Sequence, residues 1–376
     1  MIPFNIPPYV GNEVKYIKEA ISYNKICGDG LFTQRCNEWI EQKFSAQKVL
    51  LTTSGSTALD MTAILSCIKA EDEVILPSYT FSSTANSFAL AGATLVFVDI
   101  RPDTMNIDEK KIEEAITQKT KAICVVHYAG VSCEMDTIME IAQKYNILVV
   151  EDAAQGVMSK YKERFLGTIG DMGCYSFHET KNYTMGEGGA ILINNEKYIA
   201  RAEIIREKGT NRALFYRGQV AKYNWVDLGG SYLPSELNAA YLWAQLEVAE
   251  KINENRLHIW NMYNDAFEDL ENNKMIERPY VPVECTHNAH MYYIKCKNLE
   301  QRQKFIQFMK KNGILCTFHY VPLHSAPAGI RTGRFYGKDE YTTKESERLV
   351  RLPLYYKMDE NDVEFVISKT REFFEK

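Results

Sequence analysis

Four short runs in this chain, Val74-Ile75-Leu76, Leu95-Val96-Phe97-Val98, Ile123-Cys124-Val125-Val126 and Ile147-Leu148-Val149-Val150, are apolar at every position. A strand with one face in water alternates apolar and polar residues, so unbroken runs of this kind require cover on both faces. Between them lie longer stretches with helical spacing, at 57–68, 108–117 and 135–145. Parallel strands need such crossovers, because a tight turn cannot carry the chain back to the same edge. The pattern predicts an α/β protein built on a mostly parallel sheet. Asp99, His127 and Asp152 each close one of the runs, at the edge where these sheets keep their ligand crevice.

A chain of 376 residues has room for about two domains. The segment 227–256, rich in Ala, Leu, Gln and Glu, predicts one long helix leading from a large domain of residues 1–250 to a smaller one of 251–376. In the latter, strands near 291–295 and 316–320 and a helix near 301–311 predict an α+β unit. Pro7-Pro8 stops regular structure ahead of a helix at 13–22, and Cys27-Gly28-Asp29-Gly30 makes a tight turn.

Bulk properties exclude some partners. The net charge of −5 offers no nucleic-acid surface. The densest basic cluster, Arg201, Arg206, Lys208, Arg212 and Arg217, is interleaved with Glu203 and Glu207. It reads as a solvated face, with anion binding by one or two members as the sharper alternative. Nine cysteines without a CxxC pair predict reduced core thiols and a cytoplasmic protein. The start Met1-Ile2-Pro3-Phe4-Asn5 does not predict a signal peptide, and no apolar run approaches the ~18 residues of a membrane span. His287 and His290 lack a neighbouring Cys or carboxylate cluster, so hydrogen bonding is expected of them rather than metal binding.

Chemistry concentrates in Ser176-Phe177-His178-Glu179-Thr180-Lys181-Asn182, which runs into Gly186-Glu187-Gly188-Gly189. A lysine in a hydroxyl-rich turn can form an imine with an aldehyde and, as a neutral amine, move protons between carbons. Both tasks require partial desolvation. Upstream, Glu151-Asp152-Ala153-Ala154-Gln155 places an acid at the end of a strand. Alone, Asp152 would read as a helix cap. Thr53-Ser54-Gly55-Ser56-Thr57 follows the apolar Val49-Leu50-Leu51 and offers backbone N–H groups and hydroxyls to a phosphate. An imine-forming lysine, an acid for a pyridine nitrogen and a phosphate grip are what pyridoxal phosphate (PLP) needs.

These segments resemble the active-site signature of the PLP-dependent sugar aminotransferases, the DegT/DnrJ/EryC1/StrS family. The resemblance runs from Pro3-Phe4-Asn5 to Arg351-Leu352-Pro353-Leu354. It implies an aspartate-aminotransferase-like, type I PLP large domain with a smaller C-terminal α+β domain. Carried over by position, it implies that Lys181 bears the cofactor and Asp152 pairs with the pyridine nitrogen. Gln155 would stand beside the phenolic oxygen, Gly55, Ser56 and Ser176 would hold the phosphate, and Phe81 would stack on the ring. A core phenylalanine is the alternative for Phe81. Where many relatives have Asn-Tyr-Arg, this chain has Gly230-Ser231-Tyr232-Leu233, in which Ser231 keeps a donor for the neighbouring subunit's phosphate. Gly28 and Phe32, and His319, Tyr320 and His324, match loops facing the nucleotide sugar, a buried turn held by Pro322 being the alternative for the latter three. A homodimer with sites at the subunit interface is implied, and a tetramer stays open.

Three segments are similar to one subgroup of the family: His178-Glu179-Thr180-Lys181-Asn182-Tyr183, Cys27-Gly28-Asp29-Gly30, and Tyr341-Thr342-Thr343-Lys344-Glu345-Ser346-Glu347. That subgroup moves an amino group from L-glutamate to C4 of dTDP-4-keto-6-deoxy-D-glucose. The product, dTDP-4-amino-4,6-dideoxy-D-galactose, serves bacterial surface polysaccharides such as enterobacterial common antigen. Three alternatives stand beside it. One is another keto-sugar nucleotide, UDP-linked or of the other C4 configuration. Another is a PLP sugar dehydratase, in which a histidine replaces the lysine; Lys181 opposes this. The last is a non-catalytic regulator, expected to have lost Lys181 or Asp152 or to have gained a basic domain.

Overall fold

The computed structural model describes residues 1–375, and Lys376, the last position of the expected small domain, lies outside them. The four apolar runs all become strands of one eight-stranded sheet. In chain order its first seven strands are β1 (Lys48–Thr52), β2 (Glu73–Pro77), β3 (Thr94–Val98), β4 (Thr120–Val126), β5 (Leu148–Asp152), β6 (Met172–Ser176) and β7 (Gly189–Ile193). Their order across the sheet is β1-β7-β6-β5-β4-β2-β3, and β7 runs antiparallel to both its neighbours while the other pairings are parallel. Successive residues of a strand serve opposite faces. Ile75 packs in one core layer, and Val74 and Leu76 in the other. This two-sided cover explains why the runs carry no polar alternation.

Helices Gly55–Leu65, Ser82–Leu90 and Met135–Tyr145 make crossovers, and Glu109–Ala115 starts at the cap Asp108, which accepts from the Lys110 N–H. The N-terminal helix is Glu13–Ser22, as the spacing predicts. The eighth strand, Gly333–Phe335, comes from far down the chain and pairs in parallel with β3. Tyr292–Lys295, Leu349–Leu352 and Thr317–Phe318 form a separate antiparallel sheet, packed with helices Leu299–Lys311 and Glu360–Phe374 around Ile294, Phe305, Val350 and Val363.

Two expectations change. The single helix over 227–256 is two helices, Glu236–Leu246 and Ala249–Ala266. Pro234 keeps Leu233 out of the helical region and Ser235 caps the first of the two, so that helix cannot start earlier. The strand at 316–320 shortens to Thr317–Phe318 because His319 and Tyr320 turn toward the large sheet, where the Tyr79 hydroxyl donates to the His319 carbonyl. Among the described residues no helix is long and apolar enough to cross a membrane.

Candidate active site

A cavity of about 360 Å³ opens at the C-terminal ends of β4, β5 and β6, lined there by Val126, Asp152 and Ser176. The loop after β6 is pinned on both sides of its lysine. The Phe177 N–H donates to the Gly188 carbonyl, and the Met185 N–H to that of Phe177. The Asn182 amide donates to the Asn288 carbonyl (2.8 Å), and the buried Tyr183 hydroxyl to that of Ala249 (3.0 Å). Lys181 itself projects into the cavity, and its Nζ makes no hydrogen bond to the described residues. Burial lowers its pKa to about 8, with the Asp152 carboxylate opposing and the Arg351 guanidinium adding to the fall.

Asp152 is buried, and both its oxygens are held. Oδ2 accepts from the Thr84 hydroxyl (2.6 Å) and Oδ1 from the Ala154 N–H (3.2 Å). It therefore does cap the turn after β5 while still facing the cavity. At the opposite wall, Ser54 and Thr57 form a reciprocal capping box at the start of helix Gly55–Leu65. Gly55 and Ser56 then keep first-turn N–H groups that a helix cannot pair internally. A Cβ on Gly55 would lie 2.9 Å from the Ser176 Cβ, so only glycine lets β6 approach this closely. The Ser56 hydroxyl meets that of Ser83 at 2.7 Å.

Phe81 is 59% exposed and lines the cavity, so the core alternative does not hold. Gln155 accepts from the Ala129 N–H (2.7 Å) and donates to the Tyr320 hydroxyl (3.1 Å). His319 and Tyr320 complete the roof from the small-domain side.

Four expected residues lie elsewhere. Phe32 lies in the first turn of the helix Leu31–Phe44 and is fully buried against Tyr16, so it faces the core rather than a sugar. Gly28 is packed where a Cβ would lie 2.2 Å from the Pro234 carbonyl oxygen, a structural reason for glycine. His324 bonds Ser78 Oγ (2.7 Å) through Nδ1 and meets Asp339 (3.2 Å) through Nε2, away from the cavity lining. Ser231 is exposed and bridges Glu207 on the same chain.

Of the strand-end residues, only Asp152 reaches the cavity. Asp99 accepts from the Glu340, Tyr341 and Thr342 N–H groups, and His127 donates to buried Glu151 (2.9 Å) because its Nδ1 accepts from the Cys133 N–H. The five clustered basic residues each face a carboxylate: Arg201 meets Asp227, Arg206 meets Asp29, Lys208 and Arg212 meet Glu207, and Arg217 meets Glu203.

Sequence reasoning missed Thr84, Ser83, His290 and Arg351. The first two follow Phe81 at the start of a helix, where hydroxyls are ordinarily caps. His290 is buried, and its Nδ1 meets the Asn182 Oδ1 at 3.0 Å; that amide's nitrogen is spent on Asn288, so Nδ1 donates. Arg351 carries the one visible signal, a charge inside the apolar strand Leu349-Val350-Arg351-Leu352.

The chain belongs to the DegT/DnrJ/EryC1/StrS aminotransferase family, which it matches over residues 9–371 and whose members are PLP-dependent sugar aminotransferases. It is 32% identical over 325 residues to a GDP-perosamine synthase of Caulobacter vibrioides, covering 85% of each chain. It is 30% identical over 387 residues to the spore coat polysaccharide biosynthesis protein SpsC of Bacillus subtilis, covering 99% of this chain and 96% of that one. The crystal structure of the aminotransferase TlmJ from Streptoalloteichus hindustanus superposes with a TM-score of 0.91 at 25% identity, covering 99% and 98% of the two chains.

The residues present fit PLP. A desolvated amine without a partner among the described residues, a held carboxylate, an exposed aromatic ring and a glycine-floored helix start all line one cavity.

Proposed function

We propose that this aminotransferase moves the amino group of L-glutamate to C4 of dTDP-4-keto-6-deoxy-D-glucose, forming dTDP-4-amino-4,6-dideoxy-D-galactose for surface polysaccharide synthesis. The observation that carries the reaction type is Lys181, an unpaired amine with a pKa near 8, sharing a cavity with the fixed Asp152 carboxylate. The subgroup rests on the likeness of the three loop segments at 27–30, 178–183 and 341–347. When bound, PLP supplies a conjugated ring that takes up the electron pair released at the amine-bearing carbon. Lys181 Nζ, neutral in part at working pH, takes a proton from the donor's α-carbon and later returns one to C4 of the sugar. The Asp152 carboxylate, fixed by Thr84 and the Ala154 N–H, would hold a proton on the nitrogen of the bound ring. The Gly55 and Ser56 N–H groups and the Ser56 and Ser176 hydroxyls would hold its phosphate. Phe81 and Gln155, which line the cavity, would help hold the ring. Sugar and nucleotide enter past His319 and Tyr320.

The active form is a homodimer. An exposed run of apolar side chains, Phe215, Tyr216, Tyr223, Trp225, Val226 and Leu228, leads directly to Ser231 and supports an interface that delivers this residue to the neighbouring site.

The test is the product formed from L-glutamate with dTDP- or GDP-linked 4-keto-6-deoxyhexose, its C4 configuration read from proton NMR couplings. An axial amine on the dTDP sugar is expected, and Lys181→Ala should form none. Preference for the GDP sugar, the nucleotide in the name of the Caulobacter relative, would overturn the subgroup while keeping the chemistry.

A further inference from the structure

Arg351 is the unexplained charge of this cavity. It stands on the strand Leu349–Leu352, whose other three residues are buried in apolar contacts. Its guanidinium lies 4.6 Å from the centre of the Phe4 ring, and one terminal nitrogen reaches His319 Nε2 at 3.4 Å. A guanidinium only donates, so His319 Nε2 accepts and its Nδ1 carries the proton toward the Tyr128 hydroxyl, 3.2 Å away. The Arg351 Nε is buried with no acceptor, and no carboxylate of the described residues pairs with the group. Other buried arginines here have partners for their charge: Arg256 donates to the carbonyls of Ala289, His290 and Leu354, and Arg206, whose Nε is likewise without an acceptor, pairs through a terminal nitrogen with the Asp29 carboxylate. A half-buried cation facing a cavity without a carboxylate partner is costly unless an anion arrives to meet it.

The position selects the anion. The Arg351 charge is felt at Lys181 Nζ, on the small-domain side of the cavity, and the helix start Gly55–Ser56 already offers a phosphate its own donors. In the aminotransferase reading, on which this inference rests, the donor's amino group must come to the place of Lys181 Nζ. Its α-carboxylate is then one carbon away, beside that amine. We propose that Arg351, oriented by His319 and backed by Phe4, binds the α-carboxylate of the amino-acid donor through its planar fork. The apolar and phenolic surroundings, with Tyr128 and Tyr320 close by, supply no competing acid.

The experiment compares PLP-loaded wild type with Arg351→Met and Arg351→Lys, following cofactor absorbance as amino donor is titrated. For Arg351→Met the half-saturating L-glutamate concentration should rise at least about 50-fold, and L-glutamine should weaken in parallel. 4-Aminobutyrate, which lacks an α-carboxylate, should be unaffected. The KM for the keto-sugar nucleotide should stay within about threefold. Unchanged glutamate affinity overturns the proposal, as does a defect confined to the nucleotide sugar, which would give Arg351 to the diphosphate. Wild type that holds PLP but converts with no amino acid would instead sink the aminotransferase reading beneath it, and the proposal with it.

A second measurement needs no variant. Phenylglyoxal labelling of Arg351 in PLP-loaded wild type, read by peptide mass spectrometry, should be blocked by millimolar glutarate and not by dTDP. Protection by dTDP alone, or by neither, overturns the assignment.

Discussion

At the residue scale, Lys181 makes a prediction that needs no substrate. Its amine is desolvated, so its folded pKa, about 8, lies below the 10.5 of an ordinary lysine. A lowered lysine pKa means the folded protein binds the proton less well than the unfolded chain does. The cost is therefore full below about pH 8, shrinks as pH rises, and vanishes near 10.5. Lys181→Met should stabilise the cofactor-free protein near pH 7 by on the order of 2 kcal/mol, with the gain fading above pH 8. Urea melts across that range measure it, and a destabilised variant would mean the amine is solvated. The same lysine in cofactor-free protein should react with trinitrobenzenesulfonate with a midpoint near pH 8. Thr84 makes a companion case. Its hydroxyl donates to Asp152, so it must accept from the Thr80 hydroxyl (2.8 Å), and its donor direction is set. Thr84→Val leaves Asp152 Oδ2 without that partner and should slow turnover by about tenfold, the worth of one charge-assisted hydrogen bond. Cofactor retention should fall with it, as dialysis would show. Lys181 and Asp152 were legible because each sits in a compact local pattern. Thr84, His290 and Arg351 were not, because their meaning comes from partners brought together by the sheet and the small domain.

At the scale of elements, the parallel sheet was readable strand by strand, since burial on both faces leaves an unbroken apolar run. The eighth strand was not. Gly333-Arg334-Phe335 has no such run, and it joins the sheet only as an edge beside β3, held also by Arg334 on Glu73 (3.0 Å). Asp99 likewise looked like a ligand at a strand end and is instead a pin. Its two oxygens accept from the Ile100, Glu340, Tyr341 and Thr342 N–H groups at 2.8–3.0 Å and from the Thr342 hydroxyl, fixing the start of helix Thr342–Arg348. That helix leads straight into the strand carrying Arg351. Asp99→Ala strands these donors and should cost about 3 kcal/mol in urea unfolding, in the range for losing charge-assisted bonds at a buried carboxylate. A change under about 0.5 kcal/mol, typical of a surface site, would show that the pin is dispensable.

At the scale of the whole molecule, the cavity draws on parts that one sheet alone could not assemble. Lys181, Asp152 and the Gly55 helix come from the large sheet, while His319, Tyr320 and Arg351 come from the strands and loop of the smaller one. The segment 215–231 has no such place within the chain. Trp225 is 74% exposed and Leu228 68%, on a stretch tied back by backbone bonds such as Val226 N–H to the Gly209 carbonyl and by the Arg201–Asp227 and Arg217–Glu203 pairs. So many exposed apolar side chains along one segment are costly in a monomer and expected at an interface. Light scattering should therefore find a dimer, and Trp225→Ala with Leu228→Asp should raise its dissociation constant by at least about a hundredfold, since a charge would be buried against the partner. Neither side chain lines the cavity, so the variant should keep the fold and the Lys181 labelling midpoint. Its turnover should then become proportional to the dimer fraction, recovering as protein concentration rises. Full activity in a dilute, monomeric variant would mean the site is complete within one chain, and that Ser231 serves no neighbour.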